Sequence, residues 1–464
     1  MSTDETSGDR ESTGNTGAAG GRHGRAAILE APLAGTLLRM TWPMTVTALI
    51  SSWQGLIAIF WVGRMIGTFG LTTIAIWDPV FVILGLLSAS AHIGVQVLTA
   101  RATGRGDGQA IPVIVNGMYL GLAWAVVVAV VGLSQLGPIT HALAGNTDVA
   151  TGLRSFLVPW LLFYPVPVIS GIAIFAVDAT GWTRFGLIQT TISIVFVAVL
   201  MPVFVGAFDL GLAGVAISDG CSDTLLLLLT CAALYKFRNG LGLGDWSRRN
   251  LRVDFRLWWQ VARVGVLYQA ARAMDFVAQA VMVRIIIGAG RDADVAAYGL
   301  TLHLITMPTG AISCFGVAAS IVIGQNVGAG KPARAKATLR LAVKWLALAG
   351  GGLIAIASFP EPLLRLFTDD AHVIARATAT IGVLRWTIPA ALVSGALLRA
   401  YTAISSNRLS SMVSIFCSAG AIVVASVLPG TPLERVGTAL IASQYLRLLG
   451  LALLYRRSFA SVVG

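Results

Sequence analysis

The sequence predicts an all-α polytopic membrane protein with twelve transmembrane helices in two pseudo-symmetric six-helix bundles. Three observations support this prediction: the composition, the length of the apolar runs and an internal repeat. Apolar residues make up 56% of the 464 positions and charged residues only 12%, against roughly 25% charged residues in an ordinary soluble domain. The formal charge is +12, but Lys and Arg stand in short clusters between apolar runs. A soluble enzyme and a nucleic-acid binder, which needs a continuous basic stripe, are both disfavoured.

Twelve apolar runs follow a polar start. Residues 1–30 are rich in Ser, Thr, Gly and charged residues, and they are predicted to be a disordered cytoplasmic tail. Runs of about 20 apolar residues match the hydrocarbon thickness that a helix must cross. A backbone in lipid must satisfy its own polar groups, which favours helices. The predicted spans lie near residues 34–62, 74–98, 111–134, 154–177, 184–206, 211–235, 258–286, 295–322, 336–358, 376–401, 409–428 and 436–455.

The charges of the short loops predict how the chain crosses the membrane. Lys and Arg concentrate in the loops on one side, whereas the opposite side holds only scattered arginines. The positive-inside rule therefore predicts that both termini lie in the cytoplasm. The expected location is a bacterial plasma membrane, which the chain crosses several times. Residues 31–235 are expected to form an N-terminal six-helix bundle and residues 258–464 a C-terminal one, joined by a basic cytoplasmic linker at residues 236–257.

The two halves of the chain repeat each other. At an offset of 229 residues, positions 70–72, 79 and 96 carry the same residues as positions 299–301, 308 and 325. At an offset of 224, positions 165, 170–171 and 176 match positions 389, 394–395 and 400. Each repeat has six spans, so both halves enter the membrane from the same side. Transporters built from such repeats bind substrate near the midplane and move one half against the other.

Several stretches resemble the multidrug and toxic compound extrusion (MATE) transporters. The segment Ile323-Gly324-Gln325-Asn326-Val327-Gly328-Ala329-Gly330-Lys331, followed by Arg334-Ala335, is similar to that family's "GQNxGAGxxxRA" segment, and Gly94-Val95-Gln96 is its weaker counterpart. Val62-Gly63-Arg64 resembles the end of the family's first span. The resemblance implies a secondary antiporter that exports small organic molecules, drug-like or metabolite, in exchange for protons or sodium by alternating access.

The glycine-rich segment after span 8 is not a nucleotide-binding loop. A Walker A motif needs Gly where this chain has Gln325 and Ser or Thr where it has Pro332. Gly328, Gly330 and Pro332 instead end a helix and turn the chain. We therefore expect no cofactor, no nucleotide and no nucleic acid, and a coupling ion, H⁺ or Na⁺, as the energy source. The histidines and cysteines lack metal-ligand spacing, so no metal is expected.

Asp275 is the predicted cation-coupling residue. It stands in the middle of span 7, where an ionisable group costs about 2.5–3.5 kcal/mol and needs a reason to be there. By resemblance, many MATE proteins carry an acid at about this depth that is linked to cation coupling. A desolvated carboxylate can take up and release a proton, or help to hold sodium with other oxygens. Arg272 lies three residues back on the same face, so a structural ion pair is the alternative.

Six further side chains are candidates for the substrate cavity: Asp219, Asp223, Gln96, Gln325, Trp53 and Arg399. Asp219 and Asp223 are four residues apart on one helix face, so they could share a proton or attract a cation; a water-filled face is the alternative. Trp53 could instead anchor an interface, and Arg399 lies within snorkelling reach of the surface. No acid precedes Val62-Gly63-Arg64 in span 1, which departs from the family pattern.

Four other functions are alternatives to export of small organic molecules. A lipid-linked sugar flippase of the same superfamily would favour a cationic cavity, for which Arg272, Arg385 and Arg399 are candidates. An exporter of a specific anionic metabolite is a second alternative. A membrane-embedded enzyme lacks the required cluster of His, Asp or Glu, so no enzymatic activity is expected. A non-transporting scaffold is the last. The expected partners are the small-molecule substrate and membrane lipids, and the expected state is a monomer.

Overall fold

The computed structural model describes residues 25–145, 148–288, 292–367, 370–404 and 407–460, with the backbone alone for 292–296 and 456–460. Within these ranges the chain is helical and has no strand. In chain order the helices are α1 (Leu33–Met65), α2 (Thr68–Arg105), α3 (Ala110–Ser134), α4 (Leu136–Ala144), α5 (Asp148–Phe163), α6 (Pro165–Ala179), α7 (Thr183–Pro202, extended by a π-helical turn at Val203–Ala207), α8 (Gly211–Lys236), α9 (Phe255–Ile287), α10 (Asp292–Gly328), α11 (Pro332–Ile356), α12 (Glu361–Leu364), α13 (Ala371–Leu384), α14 (Thr387–Ala403), α15 (Asn407–Val427) and α16 (Pro432–Ala460).

Nine of the described helices are long and apolar enough to cross a membrane, and two bent pairs raise the number to 11. Helix α9 brings it to the predicted twelve. It is 33 residues long, but it carries four arginines and one aspartate, so its composition alone does not mark it as a span. It packs along α2 and α15, which places it among the spanning helices. The protein is therefore a polytopic helical membrane protein.

Two predicted spans are bent in the middle. The fourth divides into α5 and α6 at an angle of 46°, and the tenth into α13 and α14 at 47°. Pro165 starts α6 and Pro389 lies in the first turn of α14. Proline has no N–H to donate to the preceding turn, which favours a helix start at these places. The two prolines are related by the repeat offset of 224 residues, so the bends are a shared feature of both halves.

The two halves use the same packing scheme. In the first, α1 packs on α7, α2 on α6, and α6 on α8. In the second, α9 packs on α15, α10 on α14, and α14 on α16. These pairs correspond one to one in chain order, so the halves are pseudo-symmetric bundles. We call α1–α8 the first bundle and α9–α16 the second bundle.

The bundles meet where α2 crosses α9 and α10, and where α1 meets α10. Glycines make this contact close: a Cβ on Gly265 would lie 1.7 Å from the carbonyl oxygen of Ser90, and one on Gly104 would lie 2.1 Å from that of Gln325. No other residue fits at such distances. We call the end of the molecule that carries Arg105, Lys236 and Lys331 the basic end, and the opposite end the far end.

We call the surface where the two bundles meet the seam. The seam is closed from the basic end to about the middle of the helices. Arg101 Nε of α2 donates to the carbonyl oxygen of Ala403 at 2.7 Å, and Gln325 Nε2 of α10 donates to that of Ala179 at 2.7 Å. Each side chain therefore caps the C-terminal end of a helix in the opposite bundle, whose last carbonyl groups have no partner within the helix. Nearer the middle, Thr45 Oγ1 donates to the carbonyl oxygen of Ala311 at 3.2 Å.

The prediction that residues 1–30 are disordered is wrong for residues 25–30, whereas residues 1–24 lie outside the described ranges. Residues 25–29 form a short helix against the basic end. Ile28 and Leu29 are buried, at 3% and 8% exposure. Arg25 Nη2 donates to the carbonyl oxygen of Gly104 at 2.9 Å. Buried aliphatic side chains and a hydrogen bond to the end of α2 thus hold this segment in place.

Candidate functional site

A cavity of about 330 Å³ lies inside the second bundle. Helices α9, α10, α13, α14, α15 and α16 all contribute to its walls. Apolar residues such as Phe276 and Leu392 form part of the lining, and hydroxyl and amide groups form the rest. A mixed wall of this kind, apolar with a few convergent polar groups, is typical of small-molecule sites. The charged lining residues are Arg272, Asp275, Arg399 and Arg447.

Asp275 is the centre of the polar network in this cavity. Ser418 Oγ donates to its Oδ1 at 2.6 Å. Arg447 binds both carboxylate oxygens. Its Nη1 donates to Oδ2 at 3.1 Å, and its Nη2 donates to Oδ1 and to the Ser418 hydroxyl oxygen. Arg272 Nη1 lies 3.6 Å from Oδ2. One carboxylate therefore holds together α9, α15 and α16.

The two arginines differ in their surroundings. The Arg447 side chain is 7% exposed and the Arg272 side chain 48%, whereas the Asp275 side chain is 23% exposed. A buried arginine requires a partner because an uncompensated charge in the membrane interior is costly. Arg447 is therefore the structural partner of Asp275, while Arg272 remains accessible from the cavity.

Serines of α15 allow this arrangement. Ser410, Ser414 and Ser418 are spaced four residues apart, so they line one face of the helix, and all three are buried. Ser410 Oγ donates to the Asn407 carbonyl oxygen three residues back, and Ser414 Oγ to that of Ser410 four residues back, which satisfies the hydroxyls within the helix. Their small size lets α15 approach α9 closely enough for Ser418 to reach Asp275.

The cavity wall carries more positive than negative charge. Arg399 lies 5.3 Å from the ring centre of Tyr268, in cation–π range. With Arg272 and Arg447 it gives three guanidinium groups against the single carboxylate of Asp275. Within the described residues, Arg447 Nε and Gln444 Oε1 are buried without a hydrogen-bond partner. Such buried polar atoms normally have a partner, so this wall of the cavity holds two unsatisfied polar atoms.

The predicted site residues separate into two groups. Asp275, Arg272 and Arg399 line the cavity of the second bundle. Gln96 and Gln325 do not: they are buried, at 3% and 0% exposure, and Gln325 Nε2 donates to a carbonyl oxygen of the other bundle. Their place in a substrate cavity stays a prediction.

The other predicted cavity residues lie in the first bundle. Asp219 and Asp223 are half-buried on α8, and the described residues give neither of them a hydrogen bond or an ion pair. Trp53 is 59% exposed on α1. None of the three lines the cavity of the second bundle, because their helices belong to the other bundle. Their roles in substrate binding stay predictions.

Sequence reasoning missed the partners of Asp275 in α15 and α16. Arg447 is a charge deep in an apolar run, and that signal was visible, but nothing in the sequence paired it with a residue 172 positions earlier. The regular spacing of Ser410, Ser414 and Ser418 was a second signal, which indicated a small-residue face. Among the described residues, no group of three or more His, Cys, Asp or Glu side chains is placed to hold a metal ion.

Comparison with known proteins agrees with a transporter fold. A structure titled as the outward-facing conformation of a multidrug resistance MATE family transporter of the MOP superfamily superposes with a TM-score of 0.83 over 95% of this chain and 99% of that one, at 16% identity. A MOP superfamily transporter from Pyrococcus furiosus, whose title notes a reversed polarity of the binding pocket, superposes with a TM-score of 0.78 at 17% identity over 94% of this chain and 97% of that one. These superpositions show that the chain shares the fold of these membrane proteins.

The family follows from the sequence comparison. The MatE family model matches residues 43–203 and again residues 271–427, so the chain belongs to the MatE family of transporters. The number of residues between the two starts, and the number between the two ends, agree with the repeat offsets of 229 and 224 to within about one residue. The FAD transporter of Shewanella oneidensis is 24% identical over 76% of this chain and 78% of its own length. The probable multidrug resistance protein YoeA of Bacillus subtilis is 23% identical over 74% and 75%.

Proposed function

We propose that this chain is a secondary antiporter of a bacterial plasma membrane that exports a small organic molecule in exchange for protons. The observation that supports this proposal best is the cluster of Asp275, Arg447 and Arg272 at the wall of the cavity, where one proton would change which charges face the substrate. The basic end would lie in the cytoplasm, as the positive-inside rule predicts. The closed seam at that end then corresponds to a state that opens outward.

The surroundings of Asp275 favour a proton over sodium as the coupling ion. Sodium, a hard cation, needs several oxygen ligands, as other hard cations do. Both oxygens of Asp275 instead accept hydrogen bonds from Arg447, and Oδ1 also from Ser418. A proton needs no further ligand: it neutralises the carboxylate and releases Arg447. The cluster therefore has two charge states, and each would suit a different occupancy of the cavity.

Energetics permit one ion to drive this transport. A tenfold substrate gradient corresponds to about 1.4 kcal/mol, and one charge crossing 100 mV releases about 2.3 kcal/mol. Exchange of one proton for one neutral molecule is sufficient on these figures. A cationic substrate would compete with the arginines for Asp275. It would therefore also compete with the proton for the same carboxylate, and antiport requires such competition between substrate and ion.

A second candidate function, export of an anionic metabolite, is favoured by the excess positive charge of the cavity. Three arginines face one aspartate there, and one relative of this chain is named as an FAD transporter. An anion would bind Arg272 and Arg399, and protonation of Asp275 would add Arg447 to them. Anion and proton would then bind cooperatively and leave together, and the membrane potential, negative inside, would drive out an anion that carries more than one negative charge.

Transport by the purified protein in proteoliposomes tests both functions. A panel of cationic, neutral and anionic compounds is offered with an imposed pH gradient. We expect Asp275→Asn to abolish the dependence of transport on that gradient. Asp245→Asn, which removes an exposed carboxylate of the linker, serves as the matched control and should behave as the wild type. Gradient-driven transport by Asp275→Asn at the wild-type rate would reject the coupling role.

The same assay separates the two functions by the sign of the proton change. Binding of a transported cation should release protons into a weakly buffered solution that contains a pH dye. Binding of a transported anion should take protons up. Neither change should occur in Asp275→Asn, because the carboxylate that links the two events is absent.

A further inference from the structure

A second cavity lies at the basic end, between the two bundles and apart from the candidate substrate site. Its volume is about 470 Å³, and its walls come from α2 and α3 of the first bundle and from α9 and α15 of the second. Its polar lining consists of Arg101, Arg105, Gln109, Gln260, Arg263 and Asn407. Three guanidinium groups and no carboxylate line it, so the cavity is cationic.

The three arginines of this cavity differ in what they already contact. Arg101 is engaged with the carbonyl oxygen of Ala403. Arg105 pairs with Asp107 at 2.6 Å, and both side chains are well exposed, at 47% and 38%. An exposed ion pair contributes little to stability and yields readily to a competing anion. Arg263 is exposed and has no hydrogen-bond or ion-pair partner in the described part of the chain.

A second arginine at the basic end, Arg334 of α11, shows what such a guanidinium holds when the chain supplies its partners. The Arg334 guanidinium donates to the carbonyl oxygens of Ile28, at 3.3 Å, and Ala31. The chain's own N-terminal segment thus supplies oxygen acceptors there. Among the described residues, no segment supplies such oxygens to Arg263.

We propose that the cavity at the basic end binds a phosphate group. Arg105 and Arg263 would hold its charge, and the amide groups of Gln109 and Gln260 would donate to its remaining oxygens. Guanidinium matches phosphate geometry with two parallel hydrogen bonds, and basic pockets between transmembrane helices bind the headgroups of anionic lipids. Arg105 belongs to the first bundle and Arg263 to the second, so a bound phosphate would bridge them and stabilise the closed basic end.

Lipid titration of the full-length protein in a neutral detergent, followed by native mass spectrometry, tests this site. We expect phosphatidylglycerol to bind more tightly than phosphatidylcholine. Arg263→Gln should weaken phosphatidylglycerol binding about fivefold, the effect of one basic residue near a lipid surface. Arg263→Lys keeps the charge and should stay within about twofold of the wild type. Arg256→Gln, an equal loss of charge on the same helix but outside the cavity, is the matched control.

Glycerol phosphate as a competitor identifies the source of the phosphate. If it displaces phosphatidylglycerol, the site takes soluble phosphate compounds; if it does not, the site is specific for a lipid headgroup. Both results support a phosphate site as long as Arg263→Gln weakens the binding. Equal phosphatidylglycerol affinities of Arg263→Gln and Arg256→Gln would overturn the proposal. The assay involves no transport, so its failure is distinct from failure of the proposed function.

Discussion

At the scale of single residues, the ion pair of Asp275 and Arg447 dominates the second bundle. Arg447 is almost fully buried, and its guanidinium spans both carboxylate oxygens of Asp275. The bidentate geometry is the strongest form of such a pair. Arg272, at 3.6 Å and half exposed, adds little to this bond and is available for other contacts. The same carboxylate thus has a structural partner and an exchangeable one.

A double-mutant cycle on this pair measures its contribution. Removing one charge leaves the other unpaired in the bundle interior, so Asp275→Asn and Arg447→Gln should each lower the free energy of unfolding by about 3 kcal/mol. The double variant should lose clearly less than the sum, because it leaves no charge stranded. Thermal unfolding of the purified variants in detergent provides the measurement. Strictly additive losses would show that the pair is not coupled.

At the scale of elements, the segment that precedes α1 ties the bundles together at the basic end. Ile28 packs against Gly181, where a Cβ would lie 2.4 Å from its Cδ1. Arg25 bonds the end of α2 in the first bundle, while Lys331 Nζ and Arg334 of the second bundle reach the backbone of residues 28–31. A segment held by both bundles in this way must loosen when they move apart.

Hydrogen exchange tests how this segment is held. Arg334→Gln removes the guanidinium that binds the carbonyl groups of Ile28 and Ala31, so amide exchange of residues 25–31 should accelerate about tenfold, equivalent to roughly 1.4 kcal/mol of lost protection. Arg340→Gln removes an exposed arginine from the same helix and should leave that exchange unchanged. If both variants exchange alike, the apolar contacts of Ile28 hold the segment without Arg334.

At the scale of the whole molecule, the proposed antiport places movement at the seam between the bundles. Its hydrogen bonds run from Arg101 and Gln325 at the basic end to Thr45 near the middle. Backbone contacts at Gly265 and Gly104 leave no space for side chains. Surfaces that fit this closely have discrete open and closed states rather than a continuous range. Transport by alternating access requires that this seam open in each cycle.

Cross-linking across the seam should therefore stop transport. Thr45→Cys combined with Ala311→Cys joins the bundles where the Thr45 hydroxyl lies 3.2 Å from the Ala311 carbonyl oxygen, in a background whose four native cysteines are replaced by alanine. A short thiol-cleavable cross-linker should abolish transport, and reduction should restore it. A control pair, Ser193→Cys with Ser222→Cys, joins two hydroxyls 3.0 Å apart within the first bundle. Cross-linking of the control pair should leave transport intact, and continued transport by the cross-linked seam pair would contradict movement there.

The sequence by itself determined the class of the protein, because the physics behind that inference is local. A run of about 20 apolar residues must be a helix in lipid whatever surrounds it, and recurring Pro and Gly positions reveal a duplication without coordinates. Counting residues along the seventh span was enough to predict that Asp275 lies near the middle of that helix. Only α9, with its five charged side chains, needed the structure to confirm it as a spanning helix.

Tertiary structure alone decided which charges meet. Arg447 and Ser418 reach Asp275 across 172 and 143 positions of sequence, and no periodicity within one helix encodes such a contact. Packing likewise buried Gln96 and Gln325, and a span's depth does not reveal which neighbour its face meets. Sequence fixes how far along a helix a residue lies, whereas packing between helices determines its partners.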